Sequence, residues 1–307
     1  MGYDKALPEK KYVRTHARAL NIHPGFILAG GCDPNKNKRS EFHLRYKKPA
    51  FSRPEDLLKK TRPEVVVIAS PTSQHKNSLA VAIRQKDVRA VLCEKPLAEK
   101  VLESARMVKM CKKMRRRFYI NFIRRADPGI LEIRKKILNG KIQKPFKAVV
   151  WYCKGLLHNG CHFVDLLSFL FGPIRAASII GKETSGPAMA GSPHCRFDFK
   201  GGSAIFIPAN AKNFLHHTCE VLARNGRLRI EADGTIFWQA ANSKPRNLRH
   251  RALDRNGEQI IGNMPKYQLG VAEQLYQALQ GKKHSLCTGQ EALKSQKWIE
   301  KVLRLES

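Results

Sequence analysis

Short apolar runs alternate with helix-length segments through the first 122 residues. The clearest run, residues 65–69, is continuous and β-branched, as in parallel strands that are buried on both faces. This alternation predicts βαβ units, a parallel sheet and right-handed crossovers. We expect strands at residues 26–32, 65–69, 89–93 and 118–122, and helices at 12–21, 36–45, 54–60, 73–85 and 99–114.

The pattern changes near Arg124, where strands separated by turn signals such as Asn225-Gly226 begin to dominate. A mainly antiparallel open sheet with a helix or two on one face is expected. The predicted fold class is therefore α/β plus α+β, with a Rossmann-like domain over residues 1–122 and an α+β domain over 123–307. We expect helices at 128–138, 160–171, 266–280 and 288–304, strands at 146–153, 174–180, 195–199, 203–207, 215–222, 227–231 and 235–238, and a polar loop at 245–262.

A length of 307 residues allows two domains with apolar cores. No apolar run approaches the ~20 residues of a membrane span, and the start of the chain has no signal-peptide stretch. The eight cysteines are scattered without a Cys-x-x-Cys pair, and several lie within apolar runs. This distribution indicates reduced, buried thiols rather than disulfides or a zinc knuckle. Together these features predict a cytoplasmic protein.

The chain is strongly basic, with 57 Lys and Arg against 25 Asp and Glu, a net charge of +32. Such a charge favours anionic ligands and nonspecific attraction to nucleic acid. The densest basic run, residues 112–117, lies where a helix should end, and cations there complement the helix dipole. Because no nucleic-acid-binding motif is present in the sequence, a solvated basic surface is expected and specific nucleic-acid binding is not.

The strand predicted at residues 89–93 ends in Glu94-Lys95-Pro96. A lysine at the carboxyl end of a parallel strand lies where open α/β sheets bind ligands. Pro96 keeps Lys95 out of the α region, so the lysine is expected to be extended. The alternative interpretation is a strand-to-helix turn with a solvated lysine.

His162 and Asp165 are three residues apart on a predicted helix and should share one face. A carboxylate beside an imidazole fixes its tautomer and raises its basicity, and imidazole accepts protons near pH 7. A structural histidine in an amphipathic helix is the alternative. His158, four residues earlier, would complete a His-x-x-x-His zinc pair on one helical turn. Gly160 interrupts that turn and no third ligand is near in sequence, so no metal is expected.

Six short motifs are modest alone but specific in their order and spacing. With these motifs the chain resembles, over residues 15–303, the Gfo/Idh/MocA family of NAD(P)-dependent oxidoreductases. The resemblance implies reversible hydride transfer between nicotinamide C4 and a carbon of a sugar or nucleotide sugar, in a homodimer or homotetramer. The motifs are HARAL at 16–20, CDPN at 32–35, SPTSQH at 70–75, CEKPLA at 93–98, NGCHFVD at 159–165 and TGQEA at 288–292.

The resemblance also implies roles for the candidate residues. Lys95 would hydrogen-bond the reacting oxygen of the substrate, His162 would accept the hydroxyl proton, and Asp165 would orient His162. His158 and Asn159 would contribute to substrate binding. Many relatives carry Asp where this chain has His158, and the departure looks like the branch that acts on sugars for surface polysaccharides.

The expected cofactor is NAD or NADP. Asp33 closes the second predicted strand, where an acid accepts hydrogen bonds from the adenosine ribose and favours NAD. The alternative is that Asp33 caps a helix, and the nearby Lys36, Lys38 and Arg39 leave NADP open.

Two further stretches are assigned to the cofactor. The resemblance places Ser70, Pro71 and His75 under the nicotinamide ribose and pyrophosphate, and it groups Glu94 with Lys95 at the cofactor. The alternative for the first stretch is a helix start with an exposed His75.

The front of the chain departs from the family pattern. The three glycine positions of the phosphate-binding loop fall on Pro8, Lys10 and Val13, and residues 1–7 contain no strand pattern. Three interpretations are open: a late start with an abnormal leader, phosphate binding by Lys10, Lys11 and Arg14, or loss of cofactor binding. The first is preferred, and it predicts weak or no dinucleotide binding by this polypeptide.

Overall fold

The computed structural model describes residue 8 and residues 11–181, 191–242 and 251–306. Contacts divide the chain into two units. One runs to Ala126 and also contains Pro265–Leu293, and the other contains Asp127–Met264 and the residues from Lys294 onward. The domain division at residue 122 stays a prediction, and the structure adds that residues 265–293 group with the first unit.

Parallel strands alternate with helices in the first unit, as predicted. Strands β3, β4 and β5 pair in parallel, and β14 lies antiparallel at the edge beside β5. The strands are β1 Gly31–Cys32, β2 Ala50–Phe51, β3 Val65–Ile68, β4 Ala90–Cys93, β5 Arg117–Ile120 and β14 Cys287–Thr288. The helices are α1 His16–Ile22, α2 Lys36–Tyr46, α3 Pro54–Thr61, α4 His75–Arg84, α5 Val101–Lys113 and α8 Tyr267–Leu279.

Helix α8 belongs to the first unit because its apolar face packs on the sheet. Val271, Leu275 and Ala278 are buried in one cluster with Leu92 of β4 and Tyr119 of β5. Burial of large apolar side chains of this kind contributes roughly 1.5–3 kcal/mol each. A segment more than 140 residues downstream of β5 therefore completes the core beneath the end of β4.

The strand expected at residues 26–32 is mostly wrong. Only Gly31–Cys32 pairs, with β2, and Ile27 is 87% exposed. Among the described strands, none joins β1 to β3, although a doubly wound sheet has a central strand at that position. The valines of β3 are accordingly only half-buried, whereas β4 is buried throughout. Apolar residues 26–30 lack a described neighbouring strand to pair with, which explains the short β1.

The second unit contains a sheet of eight described strands in the order β13-β12-β11-β10-β6-β9-β8-β7, antiparallel except for the β6–β9 pair. This architecture confirms the predicted fold class. The strands are β6 Phe146–Tyr152, β7 Ile174–Gly181, β8 His194–Phe199, β9 Gly202–Pro208, β10 Thr218–Ala223, β11 Gly226–Ile230, β12 Ile236–Ala240 and β13 Glu258–Ile260. The helices are α6 Pro128–Leu138 and α7 Cys161–Phe171, and α9 Gly289–Glu306 begins in the first unit.

Burial alternates along β6, as expected for a sheet with one covered face. Phe146 and Tyr152 are buried while Val149 and Trp151 are exposed. Phe146 stacks on Phe171 of α7 at 4.5 Å between ring centroids, so helix α7 covers the buried face. The loop predicted at residues 245–262 is wrong at β13, which pairs with β12, and its residues 245–250 lie outside the described residues.

The motif at residues 288–292 forms a capping box. The Thr288 amide donates to Glu291 Oε2 at 2.9 Å, and the Glu291 amide donates to Thr288 Oγ1 at 3.2 Å. Glu291 also accepts from the buried guanidinium of Arg125 at 3.0 Å. Burial raises the pKa of Glu291, but the charge of Arg125 and the bonds from Thr288 outweigh burial and hold that pKa below 4.5.

We expect Glu291→Gln to lower the free energy of unfolding at pH 7 by about 1 kcal/mol, because it keeps the capping acceptor and removes the charge beside Arg125. The folded-state pKa is depressed, so the contribution is present above the ordinary value of 4.5 and is lost as pH falls through the lower folded value. Thermal melts from pH 7 to pH 3 should therefore show the two proteins converging. Glu300→Gln, which breaks the exposed pair with Arg304, is the control and should cost only a few tenths of a kcal/mol. A gap for Glu291→Gln that widens in acid would contradict the assignment.

Candidate active site

Glu94 and Lys95 leave the sheet directly after β4, at its carboxyl end. Two side chains from other elements converge on Glu94 Oε1, namely His16 Nε2 at 2.7 Å and Asn121 Nδ2 at 2.7 Å. The Lys95 amide donates to Glu94 Oε2 at 3.3 Å. The first turn of α1 and the end of β5 therefore hold the segment that presents Lys95.

Glu94 is held as a carboxylate. Burial raises the pKa of Glu94, but the bond and charge of His16 and the donors of Asn121 and Lys95 outweigh burial and lower that pKa overall. An ionised carboxylate only accepts hydrogen bonds. Glu94 can therefore receive hydroxyl donors from a ligand beside the Lys95 ammonium.

Three residues of this network were not predicted from the sequence. His16 belongs to the HARAL motif and Asn121 follows a predicted strand, but neither signal indicates a contact with Glu94. Gln268 of α8 places its Nε2 3.4 Å from His16 Nε2, across 252 residues of chain. No local pattern marks such a distant partner.

The turn after β3 is tied to the loop after β4 by His75. Its Nε2 lies 3.0 Å from the Ser70 carbonyl oxygen, and its Nδ1 lies 3.2 Å from that of Leu97. His75 is 1% exposed, so the alternative of an exposed histidine is wrong. Ser70 and the exposed Pro71 lie at the carboxyl end of β3, and direct cofactor contact by these residues stays a prediction.

Asp33 follows β1 and does not cap α2. The cap is Asn35, whose side chain accepts from the amides of Asn37 and Lys38. Asp33 Oδ1 accepts from the Asn35 amide at 2.9 Å, and the Lys38 ammonium lies 3.9 Å from Asp33 Oδ2. The carboxylate is thus kept at the strand end, where a ribose hydroxyl can reach it.

The phosphate-binding part of a dinucleotide site fits less well. The amides of Lys11 and Tyr12 donate to the Pro8 carbonyl, and that of Val13 donates to Pro265. Val13 is buried beside Ala272 of α8. The backbone donors described at the glycine-loop position are therefore committed within the chain, whereas the ribose-facing acid and Lys95 fit a dinucleotide. Lys10 lies outside the described residues.

The second unit carries the other candidate residues. A π-turn at Leu156–Gly160, closed by the Gly160 amide on the Gly155 carbonyl at 3.1 Å, precedes α7. His158 is exposed within this turn, and helix α7 begins at Cys161, one residue later than predicted. π-turns inside helices are frequent at functional sites.

His162 and Asp165 lie three residues apart on α7, as predicted, with Asp165 buried and His162 partly exposed. The wider π-turn separates His158 from the regular α-helix of His162. Within the described residues no group of three or more His, Cys, Asp or Glu side chains is arranged to hold a metal ion. The structure thus brings Glu94 and Lys95 together with His16 in the first unit, and it places His158 and His162 in the second.

Comparison with known proteins gives a family match over the first unit. Residues 11–122 match the "Oxidoreductase family, NAD-binding Rossmann fold" (GFO_IDH_MocA). The inositol 2-dehydrogenase of Rubrobacter xylanophilus is 28% identical over 139 residues, 45% of this chain and 40% of that protein. The 2,7-anhydro-N-acetylneuraminate hydratase of Escherichia coli is 23% identical over 81% of this chain and 73% of its own length. This chain therefore spans about two fifths of the length of the inositol dehydrogenases that it matches.

Solved structures share the fold over nearly the whole chain. The WlbA dehydrogenase from Bordetella pertussis, in complex with NADH and UDP-GlcNAcA, has a TM-score of 0.73 at 19% identity and covers 95% of this chain and 92% of its own. The UDP-N-acetylglucosamine 3-dehydrogenase GnnA from Acidithiobacillus ferrooxidans has a TM-score of 0.74 at 17% identity, with the same coverage.

Proposed function

We propose, since this chain belongs to the Gfo/Idh/MocA family of NAD-binding oxidoreductases, that it transfers a hydride between a nicotinamide cofactor and a hydroxyl or keto carbon of a sugar or nucleotide sugar. The observation that carries the proposal is the placement of Lys95 at the carboxyl end of β4, beside a Glu94 carboxylate that His16 and Asn121 hold in place. Such a site offers one cation and one acceptor at the edge where open sheets bind ligands.

The proposed roles follow from the chemistry of each group. Lys95 donates to the reacting oxygen and stabilises negative charge as it develops there. His162 accepts the hydroxyl proton, and Asp165 orients its imidazole. When bound, the nicotinamide supplies the centre that accepts or returns the hydride. His158 and Asn159 are proposed to contact the hydroxyl groups of the sugar.

NAD is the proposed cofactor in preference to NADP. Asp33 would accept from the adenosine ribose, and the Arg39 guanidinium already donates to the carbonyls of Asp33 and Pro34 at 2.9 and 2.8 Å. Arg39 is thus less available for a 2′-phosphate. Ser70, Pro71, His75 and Glu94 are proposed to form the nicotinamide half of the cofactor site.

The substrate class is proposed from the names of the relatives. Their names refer to inositol, an anhydro-neuraminate and UDP-sugars, all of which are polyhydroxylated rings. A sugar destined for surface polysaccharide is our more specific proposal.

Calorimetric titration with NAD⁺ and NADP⁺, followed by a turnover assay on a panel of inositols, sugars and nucleotide sugars, tests the function. We expect measurable dinucleotide binding and turnover that falls about 100-fold in His162→Ala. Retention of more than about a tenth of the activity would contradict the role of His162. Absence of turnover across the panel with dinucleotide bound would contradict the substrate class.

A non-catalytic sugar-binding or partner-binding remnant of the family is the second candidate. The committed amides of Lys11, Tyr12 and Val13 favour it, because they leave fewer backbone donors for a pyrophosphate. A folded chain that binds a sugar ligand and shows no heat with either dinucleotide at millimolar concentration would select this alternative.

We also propose a cytoplasmic homodimer or homotetramer. Val149 and Ile205 are paired in register on adjacent strands, and with Trp151 they expose apolar surface on the open face of the sheet. No helix among the described residues has the length and apolar character to cross a membrane. The eight free cysteines, all buried except Cys32, suit a reducing compartment. Sedimentation of the purified protein tests the association.

A further inference from the structure

A second surface with unassigned chemistry lies at the end of β6 in the second unit. The segment 209–217 runs beside this end, since the Ala209 amide donates to the Tyr152 carbonyl at 2.7 Å. Cys153 Sγ lies 3.3 Å from both the amide nitrogen and the carbonyl oxygen of His216. The backbone of 214–216 is therefore held against residues 152–154, immediately before the π-turn that carries His158.

This surface exposes a large aromatic side chain. Phe214 is 67% exposed and the adjacent Leu215 is 55% exposed. The ring of Phe214 meets His216 edge-on at 5.9 Å between centroids, and His216 meets Trp151 at 6.1 Å. A row of three rings thus crosses the end of β6, with its outermost ring facing solvent.

The same surface is basic and free of carboxylates. Residues 151–162 and 209–217 contain Lys154, Lys212 and four histidines, and neither stretch contains Asp or Glu. Lys154 is held in the left-handed backbone region, with φ of 60°, directly before the π-turn. Such conformations in residues other than glycine are costly and concentrate at ligand sites. Lys154 and Lys212 are both exposed.

We propose that Lys154, Lys212, Phe214 and His216, here called the β6-end surface, bind the nucleoside diphosphate part of a nucleotide sugar. The base stacks on Phe214, since stacking on an aromatic ring tolerates any base. The diphosphate meets the two lysines, which are point-charge donors suited to phosphate oxygens. The inference rests on the proposed function, because it names the substrate class for the segment that carries His158 and His162.

Calorimetric titration of the full chain with UDP, without dinucleotide, tests the inference. We expect saturable binding, weakened tenfold or more in Phe214→Ala and in the Lys154→Ala/Lys212→Ala double variant, and retained in Phe214→Trp. Lys200→Ala is the matched control, because Lys200 is an exposed lysine in the β8–β9 turn, at the opposite end of β6. It should leave the dissociation constant within twofold.

Three results would overturn the proposal: no saturable UDP binding by the folded chain, an unchanged affinity in Phe214→Ala, or a change of oligomeric state in Phe214→Ala without a change of UDP affinity. The last would make the β6-end surface a subunit interface. UDP binding without hydride transfer would sustain this inference while the oxidoreductase proposal fails. Turnover of free sugars without UDP binding would do the reverse.

Discussion

Replacement of Lys95 by alanine is expected to lower kcat/KM about 100-fold or more, because a single donor aimed at a developing oxyanion commonly contributes that much. Lys95 is the cation at the carboxyl end of β4, and its neighbour Glu94 is held at 2.7 Å by both His16 and Asn121. The fold should survive, since the β4 residues that pack the core end at Cys93. Steady-state kinetics with the best substrate of the panel, together with circular dichroism, provide the measurement.

The control for Lys95 is Lys100→Ala. Lys100 is an exposed lysine five residues later, at the cap position of α5, where it makes no side-chain capping bond. Its activity should stay within about twofold of the unmodified chain, since isolated surface charges contribute little. If Lys95→Ala kept more than about a tenth of the activity, the ammonium would not contact the reacting oxygen.

The sequence predicted the elements whose patterns are local. The continuous apolar run of β3 and the alternating burial of β6 come from residues within one strand, and both strands lie where expected. The Glu94-Lys95-Pro96 turn was likewise predicted from the run that precedes it. Local patterns therefore fixed the sheet edge at which Lys95 lies.

Contacts that join distant segments were beyond that reach. His16 is 78 residues from Glu94, and Gln268 is 252 residues from His16. Strand β14 and helix α8 return to the first unit from positions beyond residue 264, and only their packing on β4 and β5 shows it. The strand predicted from residue 26 failed for the converse reason, because an apolar run forms a strand only beside a partner.

The front of the chain shows how a site changes its chemistry. In a dinucleotide fold the first helix offers backbone amides to phosphate, but here the described amides before α1 bond to Pro8 and Pro265. Helix α1 still contributes the side chain of His16, which holds Glu94 at the end of β4. The first helix thus supports the nicotinamide half of the proposed site more directly than the phosphate half.

Phe206→Ala is expected to lower the free energy of unfolding of the second unit by about 3–5 kcal/mol. Phe206 lies in β9 between β6 and β8, is 0% exposed, and contacts the rings of Phe197 at 5.1 Å and Tyr152 at 6.3 Å. A loss of that size is a large share of the roughly 5–15 kcal/mol that stabilises a typical domain. Urea unfolding followed by tryptophan fluorescence measures it, since Trp151, Trp238 and Trp298 all belong to the second unit.

Arg196→Ala separates the packing of Phe206 from the mere presence of a substitution in this sheet. Arg196 lies on β8 opposite Ile205, on the exposed face, and pairs with Asp198 at 2.7 Å. Exposed ion pairs contribute about 0–1 kcal/mol, so a loss below about 1 kcal/mol is expected. Because Phe206 packs on Tyr152, at the end of β6, the loss of its ring should also weaken UDP binding at the β6-end surface, which begins two residues later at Lys154. A Phe206→Ala variant as stable as Arg196→Ala would mean that the core collapses around the lost ring, and the rigid support proposed for that surface would then be wrong.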